Sequence, residues 1–382
     1  MSAPAVPLAR AVPRTLAVLG LVAALGLPAA AATAAPVPDA AAAPAPAAAA
    51  VERVLWRDVP TGSDERFRGL SAVNRRVAWV SGTGGTVLRT EDRGRTWEDV
   101  SPGGDTGTLE FRDVEAFDAD RAVVLSIGPG GDSRVYRTTD GGQTWRRTFQ
   151  NADPLAFYDC MGFWDARHGL ALSDPVDGKF RVARTSDGGA SWSVVDPAGM
   201  PAALPGEFAF AASGTCLVTA GRENAWIASG GGATSRVFHS TDRGSTWTVS
   251  STPVASSEAG GIFSLAVRGT RELVAVGGDF TVPDVGTDAS ARSTDGGRTW
   301  AAGSALGGYR SGAAWLGRRA AGTAPENDAV VAVGPTGSDL SLDAGRTWSP
   351  VDTGSLDSVD CTRNGACWGS GEAGRVALLL RR

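Results

Sequence analysis

Thr138-Thr139-Asp140-Gly141-Gly142-Gln143-Thr144-Trp145 is the stretch on which the reading of this chain turns. The same eight-residue pattern returns at 90–97, 185–192, 240–247, 293–300 and 341–348, with its acid at Asp92, Asp140, Asp187, Asp242, Asp295 and Asp343. The acids recur every 47 to 55 residues, the signature of a repeat architecture. Each copy follows a short alternating run such as Thr86-Val87-Leu88-Arg89 and opens another such as Trp97-Glu98-Asp99-Val100, so it reads as the turn of a β-hairpin. The Asp carboxylate accepts main-chain N–H groups inside such a turn, the Gly tolerates a positive φ, and the Ser or Thr hydroxyl satisfies further backbone groups. The Trp that follows buries a large ring between neighbouring sheets. Every motif residue therefore has a folding role, and recurrence alone does not make the six acids catalytic.

Upstream of each box lie two more strands, 67–73 and 77–81 in the first repeat, giving four strands per unit, the composition of a propeller blade. Six boxes do not mean six blades. Residues 356–381 align without a gap on 67–92, setting Trp368 on Trp79, Ser370 on Ser81, Gly371 on Gly82, Gly374 on Gly85 and Val376 on Val87. The missing fourth strand stands at the other end, where Trp56-Arg57-Asp58-Val59 matches Trp97-Glu98-Asp99-Val100. The expected fold is all-β: a seven-bladed β-propeller over residues 51–382, whose N-terminal strand completes the C-terminal blade and leaves no open edge between first and last blades.

Composition supports this. The 382 residues include 51 Gly, 21 Pro and 12 Trp, which favours many short strands and tight turns over helical bundles or doubly wound sheets. Two histidines leave little room for histidine chemistry, and both fall by the turns of the box side. A formal charge of −5 gives no reason to expect nucleic acid as a partner. Gly369 to Gly374 fits G-x-G-x-x-G, but the strand-like 375–380 follows where a dinucleotide site needs a helix. No G-x-S-x-G elbow occurs. No cofactor and no metal are expected.

Residues 1–34 read as an export signal: Arg10 and Arg14 before an apolar core over 16–27, then Ala32-Thr33-Ala34 as the cleavage site, with Ala35 the expected mature start. Residues 35–50, almost wholly Ala and Pro, read as an extended tether. No later segment is long and apolar enough to be a membrane span. A secreted or cell-envelope location permits disulfides. Four cysteines allow three connectivities; Cys361 and Cys367 flank Asn364-Gly365, a hairpin turn, and their closing locally leaves Cys160 to pair with Cys216.

The six boxes resemble the BNR, or Asp-box, repeat, and the chain looks most like the seven-bladed, photosystem II stability/assembly-factor-like group; it is more distantly similar to sialidase and sortilin propellers. The first likeness implies a protein-binding or chaperone-like scaffold, the sialidase likeness a glycoside hydrolase. Phe67-Arg68-Gly69-Leu70 resembles the sialidase segment Phe/Tyr-Arg-Ile-Pro, which supplies a carboxylate-binding arginine, with Gly-Leu here in place of Ile-Pro. The tyrosines Tyr136, Tyr158 and Tyr309 do not match the sialidase nucleophile pattern.

Strand alternation locates a functional face. Box turns join third and fourth strands, so loops joining second to third strands, and those joining blades, lie on the opposite side. The longest of these, 173–179, 196–207, 251–261, 277–290 and 334–339, cluster on blades three to six. The innermost strands are expected to start at Phe67, Phe111, Phe157, Phe208, Ile262, Tyr309 and Leu356, an apolar ring. The following residues are Arg68, Arg112, Tyr158, Ala209, Phe263, Arg310 and Asp357. Arg68, Arg112 and Arg310 at one level of a central funnel, beside Tyr158, either grip a carboxylate, sulfate or acidic side chain, or line a wet channel and pair with Asp113, Asp357 or Glu207. On the loops Asp174, Asp177, Glu207 and Asp279 are candidate acids for general acid–base work or cation binding; the alternative is solvated carboxylates. The expected function is that of a monomeric exported scaffold binding a protein segment or an anionic or glycan ligand on the long-loop face. Its rival is a glycoside hydrolase using Asp174, Glu207 and Asp279.

Overall fold

A computed structural model describes residues 54–317 and 328–381; the expected export signal and tether lie outside them. Among the described residues are seven four-stranded antiparallel sheets, with no helix beyond three-residue 3-10 turns. Blade one is Phe67–Ala72, Ala78–Gly82, Val87–Thr90 and Glu98–Asp99; blade two Glu110–Ala116, Ala122–Ile127, Arg134–Thr138 and Arg146–Gln150. Blade three is Tyr158–Phe163, Gly169–Val176, Lys179–Thr185 and Ser193–Val194; blade four Leu217–Ala220, Asn224–Ala228, Arg236–Ser240 and Thr248–Ser251. Blade five is Gly260–Arg268, Glu272–Asp279, Ser290–Ser293 and Ala301–Ala302; blade six Gly312–Trp315, Val330–Gly334, Gly337–Ser341 and Ser349–Asp352. Blade seven combines Ser358–Cys361, Cys367–Ser370 and Val376–Arg381 with the N-terminal strand Val54–Asp58, which pairs with the last strand from Val54↔Arg381 to Asp58↔Ala377. The ring closes as the sequence alignment predicts. No helix among the described residues is long and apolar enough to cross a membrane.

Burial explains the strand sequences. A second strand is sandwiched by the neighbouring blades on both faces, so Val330–Gly334 and Ala78–Gly82 are buried throughout and read as uncharged runs without polar alternation. Outer strands face solvent, and in blades one, three and five they are kept short: Glu98–Asp99, Ser193–Val194 and Ala301–Ala302 are two exposed residues each, which blunts the sheet edge. The boxes sit between third and outer strands. In the second, Asp140 Oδ1 accepts the Thr144 N–H at 2.9 Å and Oδ2 the Thr144 hydroxyl at 2.5 Å, while Thr138 Oγ accepts the Gly142 N–H at 2.9 Å. Gly142 has φ +85°, and a Cβ there would lie 2.6 Å from the Val100 side chain of blade one. Trp145 then donates to the Val100 carbonyl at 2.7 Å, tying blade two to blade one. The same donors hold the Asp92 and Asp295 carboxyls down at about 2, led by the backbone N–H of Thr96 for the first and the Thr299 hydroxyl for the second. These oxygens are occupied by the turn.

Both disulfides have the expected partners, Cys160–Cys216 and Cys361–Cys367. The first joins the inner edges of blades three and four and the second closes the hairpin of blade seven. Two disulfides suit an oxidising environment.

Candidate functional site

The inner strands carry the site, and their register differs from expectation. In blades one, two, three and five a β-bulge interrupts the inner pairing, and the bulged residue is Arg68, Arg112, Asp159 and Phe263 respectively. A bulged residue has no ladder partner and is re-aimed by the local kink. Tyr158 is therefore not level with Arg68. It pairs with Ser173 as Phe67 pairs with Gly82, is fully buried, and packs edge-on against Phe149. Arg310 is displaced in the same sense. Its N–H donates to Gly277 O in the way Phe67 N donates to Gly371 O, so it occupies the buried position. At 1 % exposure its Nε donates to Asp339 at 2.6 Å and its Nη1 to the Tyr309 carbonyl and Thr336 hydroxyl, both at 3.0 Å. The three-arginine funnel is corrected to two arginines, Arg68 and Arg112.

Blade four departs further. Its inner strand starts not at Phe208, with Ala209 next, but at Leu217. The intervening segment crosses the channel mouth. Phe208 pairs with Gly230, Ala211 O accepts Arg112 Nη1 of blade two at 2.8 Å, and Ser213 Oγ donates to Ser311 O before blade six at 2.7 Å. Phe210 stacks on Phe263 at 3.7 Å, and Tyr309 meets Phe263 edge-on at 4.6 Å. Residues 208–214 thus form a plug with an aromatic outer layer, which sequence reasoning missed. Its signal was the 55-residue step from Asp187 to Asp242, the longest between boxes.

Around the plug the charges are unevenly paired. Asp357 accepts both Nε and Nη2 of Arg66 at 2.7 Å, and Glu110 accepts Nε and Nη2 of Arg112 at 2.8 and 2.7 Å. That leaves Arg68. Its Nε is buried with no hydrogen-bond partner, and it enters none of the ion pairs among the described residues. Burial, and next the charge of Arg112, pull its guanidinium below the usual arginine range, yet an arginine remains a cation at physiological pH. Nearby, Asp159 is 2 % exposed with one carboxyl oxygen unpartnered. Burial first, then the charge of Asp174, push it well above the carboxylate range. Burial brings Asp174 up to about 7.

The loop acids are not brought together. Glu207 is enclosed and accepts Arg236 Nε at 2.9 Å, Arg236 Nη2, the Ser229 hydroxyl at 2.6 Å and the Leu204 N–H at 2.7 Å. It is a structural anchor. Asp279 accepts Ser257 Oγ and Thr281 Oγ at 2.5 Å, which lowers its pKa. Asp174 accepts the Ala209 N–H of the plug at 2.8 Å. Asp177 occupies a tight turn at φ +53°.

On the box face, beneath the plug, lies a cavity of about 890 Å³ lined by the far halves of the inner strands, including Asp113, Glu115 and Asp360. Gly214 leaves room for the Asp113 carboxylate; a Cβ there would stand 2.5 Å from its oxygen. Asp113 accepts Met161 N at 2.5 Å and Asp360 accepts Ala72 N at 2.8 Å, each stapling its inner strand to the next blade. Burial raises Asp113 to about 8 and raises Glu115 and Asp360 as well. No grouping of three or more His, Cys, Asp or Glu among the described residues is suited to a metal ion.

The BNR/Asp-box repeat family matches residues 136–147, the second box. No curated protein matches the chain in sequence. Among solved structures the chain is similar to YCF48 bound to a D1 peptide, at 16 % identity and TM-score 0.57, covering 85 % of this chain and 94 % of that one. It is similar to YCF48 from Cyanidioschyzon merolae at 18 % identity and TM-score 0.58, covering 85 % and 98 %. A GH74 xyloglucanase from Xanthomonas campestris shares 17 % identity at TM-score 0.57, over 85 % of this chain but 53 % of that enzyme. Boxes, ring and neighbours agree on the fold, a β-propeller carrying BNR/Asp-box repeats and similar to YCF48.

Proposed function

We propose that this propeller is an exported, monomeric binding module that takes a carboxylate of a protein segment at the long-loop face, on Arg68 with Arg112 beside it. The observation that carries the reading is the buried, unpartnered Nε of Arg68: the one acid whose charge acts on it, Asp357, is already bonded to Arg66. A partly buried cation without a partner is costly to keep, and an incoming carboxylate relieves that cost through a charge-assisted, two-pronged hydrogen bond. Asp159, driven towards its neutral form, adds a hydrogen-bond donor rather than a repelling charge. The YCF48 fold has been solved with a peptide bound, which is compatible with such a partner. Cleavage after Ala34 would release the mature chain from the export signal, and the two disulfides accord with that destination.

The test is a random peptide library presented with free C-terminal carboxylates and, in parallel, amidated or with its acidic residues replaced by amides. Selected carboxylate peptides should bind wild type and lose about 10- to 100-fold in Arg68→Ala, the value of one charge-assisted hydrogen bond. Affinity should also weaken with salt. Unchanged binding by Arg68→Ala overturns the reading. So does turnover of xyloglucan or sialosides that disappears in Asp174→Asn.

A further inference from the structure

The long-loop face carries an apolar feature that the carboxylate site leaves unused. The blade-five loop after Asp279 exposes Phe280, Val282 and Val285 at 52, 49 and 52 %, three large apolar side chains within six residues. The loop is not loose. Phe280 N donates to Ala259 O at 3.3 Å, Val285 N to Val282 O at 3.0 Å, Leu306 N to Gly286 O at 3.0 Å and Tyr309 N to Pro283 O at 2.8 Å. A backbone held at both flanks fixes the exposed side chains in place, so ordering costs little on binding. Such a cluster is unusual on a soluble surface unless something covers it.

Two routes join this patch to the arginines. Pro283 holds Tyr309, whose phenol lies near enough to Arg68 to feel its charge. Phe280 meets Phe263 edge-on at 6.3 Å, Phe263 stacks on Phe210 at 3.7 Å, and the next residue, Ala211, binds Arg112 at 2.8 Å. The aromatic layer of the plug is thus a floor running from the apolar loop to the two cations. We propose that the partner is an extended segment that is both acidic and apolar, its carboxylate on Arg68 and an apolar side chain on Phe280, Val282 and Val285. Ring-to-ring steps of 6.3 and 3.7 Å and a 2.8 Å hydrogen bond mark this floor as far as Arg112, the cation beside Arg68, a path on the order of four residues of extended chain at about 3.3 Å each. This inference rests on the carboxylate reading above and adds a second specificity element to it.

The probes are two fluorescent Gly/Ser peptides with free C-terminal carboxylates, one with a single Leu about four residues before the terminus and the other with Ser there. Wild type should prefer the Leu peptide by about tenfold, and Phe280→Ser/Val282→Ser should reduce that preference to under about twofold while binding the Ser peptide as wild type does. Because the altered residues are exposed, the melting temperature should not move. A Leu preference that persists in the loop variant, or that is absent in wild type, overturns the inference while Arg68→Ala still weakens both peptides. Indifference of both peptides to Arg68→Ala is instead the failure of the carboxylate reading. A wild-type dimer that the loop variant converts to monomer in size-exclusion chromatography assigns the patch to a second copy of the chain and also overturns the inference.

Discussion

Trp56→Ala tests the closure of the ring at its most exposed joint. Trp56 lies on the strand that the N-terminus contributes to blade seven, opposite Leu379. Its ring is 8 % exposed and packs with Val331, Val333, Leu340 and Leu356, and its indole N–H donates to the fully buried Ser338 hydroxyl of blade six at 3.0 Å. Truncating a buried Trp costs about 3 to 5 kcal/mol, and the orphaned hydroxyl adds about 1 kcal/mol. The total, about 4 to 6 kcal/mol, is a large part of the roughly 5 to 15 kcal/mol by which folded domains are stable. At about 2 °C per kcal/mol for a domain of this size, the melting temperature should fall by roughly 8 to 12 °C. Because the lost contacts hold the closing strand, the last strand, Val376–Arg381, should be exposed as an open edge and recruit other chains. Scanning calorimetry reads the first effect and size-exclusion chromatography below the transition reads the second. Trp56→Phe keeps most of the ring contact but not the hydrogen bond and should lose only about 1 to 2 kcal/mol. A drop smaller than about 3 °C for Trp56→Ala, with an unchanged elution volume, would show that the N-terminal strand is an ornament on a ring closed by other means.

Acidity should stabilise the ring over an unusual range. Asp113 and Asp174, raised by burial to about 8 and about 7, and Asp159, Glu115 and Asp360, raised as well, bind protons more tightly folded than unfolded. The contribution of all five is complete below the ordinary carboxylate range, and that of Asp174 and Asp113 is lost as pH rises through about 7 and about 8, whereas the box acids Asp92 and Asp295, held at about 2, oppose it only below about pH 4. The melting temperature should therefore peak near pH 4 to 5 and decline towards pH 8; a steady rise from 5 to 8 contradicts these assignments. Removing Cys160–Cys216, which spans 56 residues, should cost about 4 kcal/mol against about 2 kcal/mol for Cys361–Cys367, which spans 6. Denaturation of the two double-serine variants measures the difference, and equal losses would deny the loop-closure origin.

The architecture was legible because the information is local and repeated. Thr138, Asp140, Gly142, Thr144 and Trp145 interact mostly with one another or with the adjacent blade, so one turn seen six times identifies the ring. Closure was legible because a broken blade leaves complementary fragments at the two ends. Register at the axis was not. Phe157-Tyr158 presents an aromatic residue at either of two adjacent positions, and a bulge shifts the pairing by one residue without disturbing composition. An arginine in the sequence does not announce that Asp339, Thr336 and a carbonyl will enclose it, as they do Arg310. Asp159 was passed over for the same reason. Its neighbour Tyr158 held the place in the alignment that the bulge gives to the acid.

The long-loop face differs from the box face in where the repeat rules are broken. The seven sheets satisfy the same pattern at the box turns, but on the long-loop face the departures gather. Bulges in blades one to three deliver Arg68, Arg112 and Asp159, the run-in to blade four supplies the plug, blade five the rigid apolar loop, and the approach to blade six contributes Tyr309. None of these is needed to close a ring. Two of them, the unpartnered Arg68 and the unpartnered oxygen of Asp159, weaken it. The proposed site, drawn from six consecutive blades, has no existence in any one of them. Its geometry depends on the circumference, and hence on the strand that Trp56 anchors: Arg112 reaches Ala211 across blade three, and Ser213 reaches Ser311 across blade five, only if the whole ring holds its diameter. The N-terminal strand shares no hydrogen bond with Arg68, Arg112, Asp159 or Tyr309 and, by closing the ring, still sets their spacing.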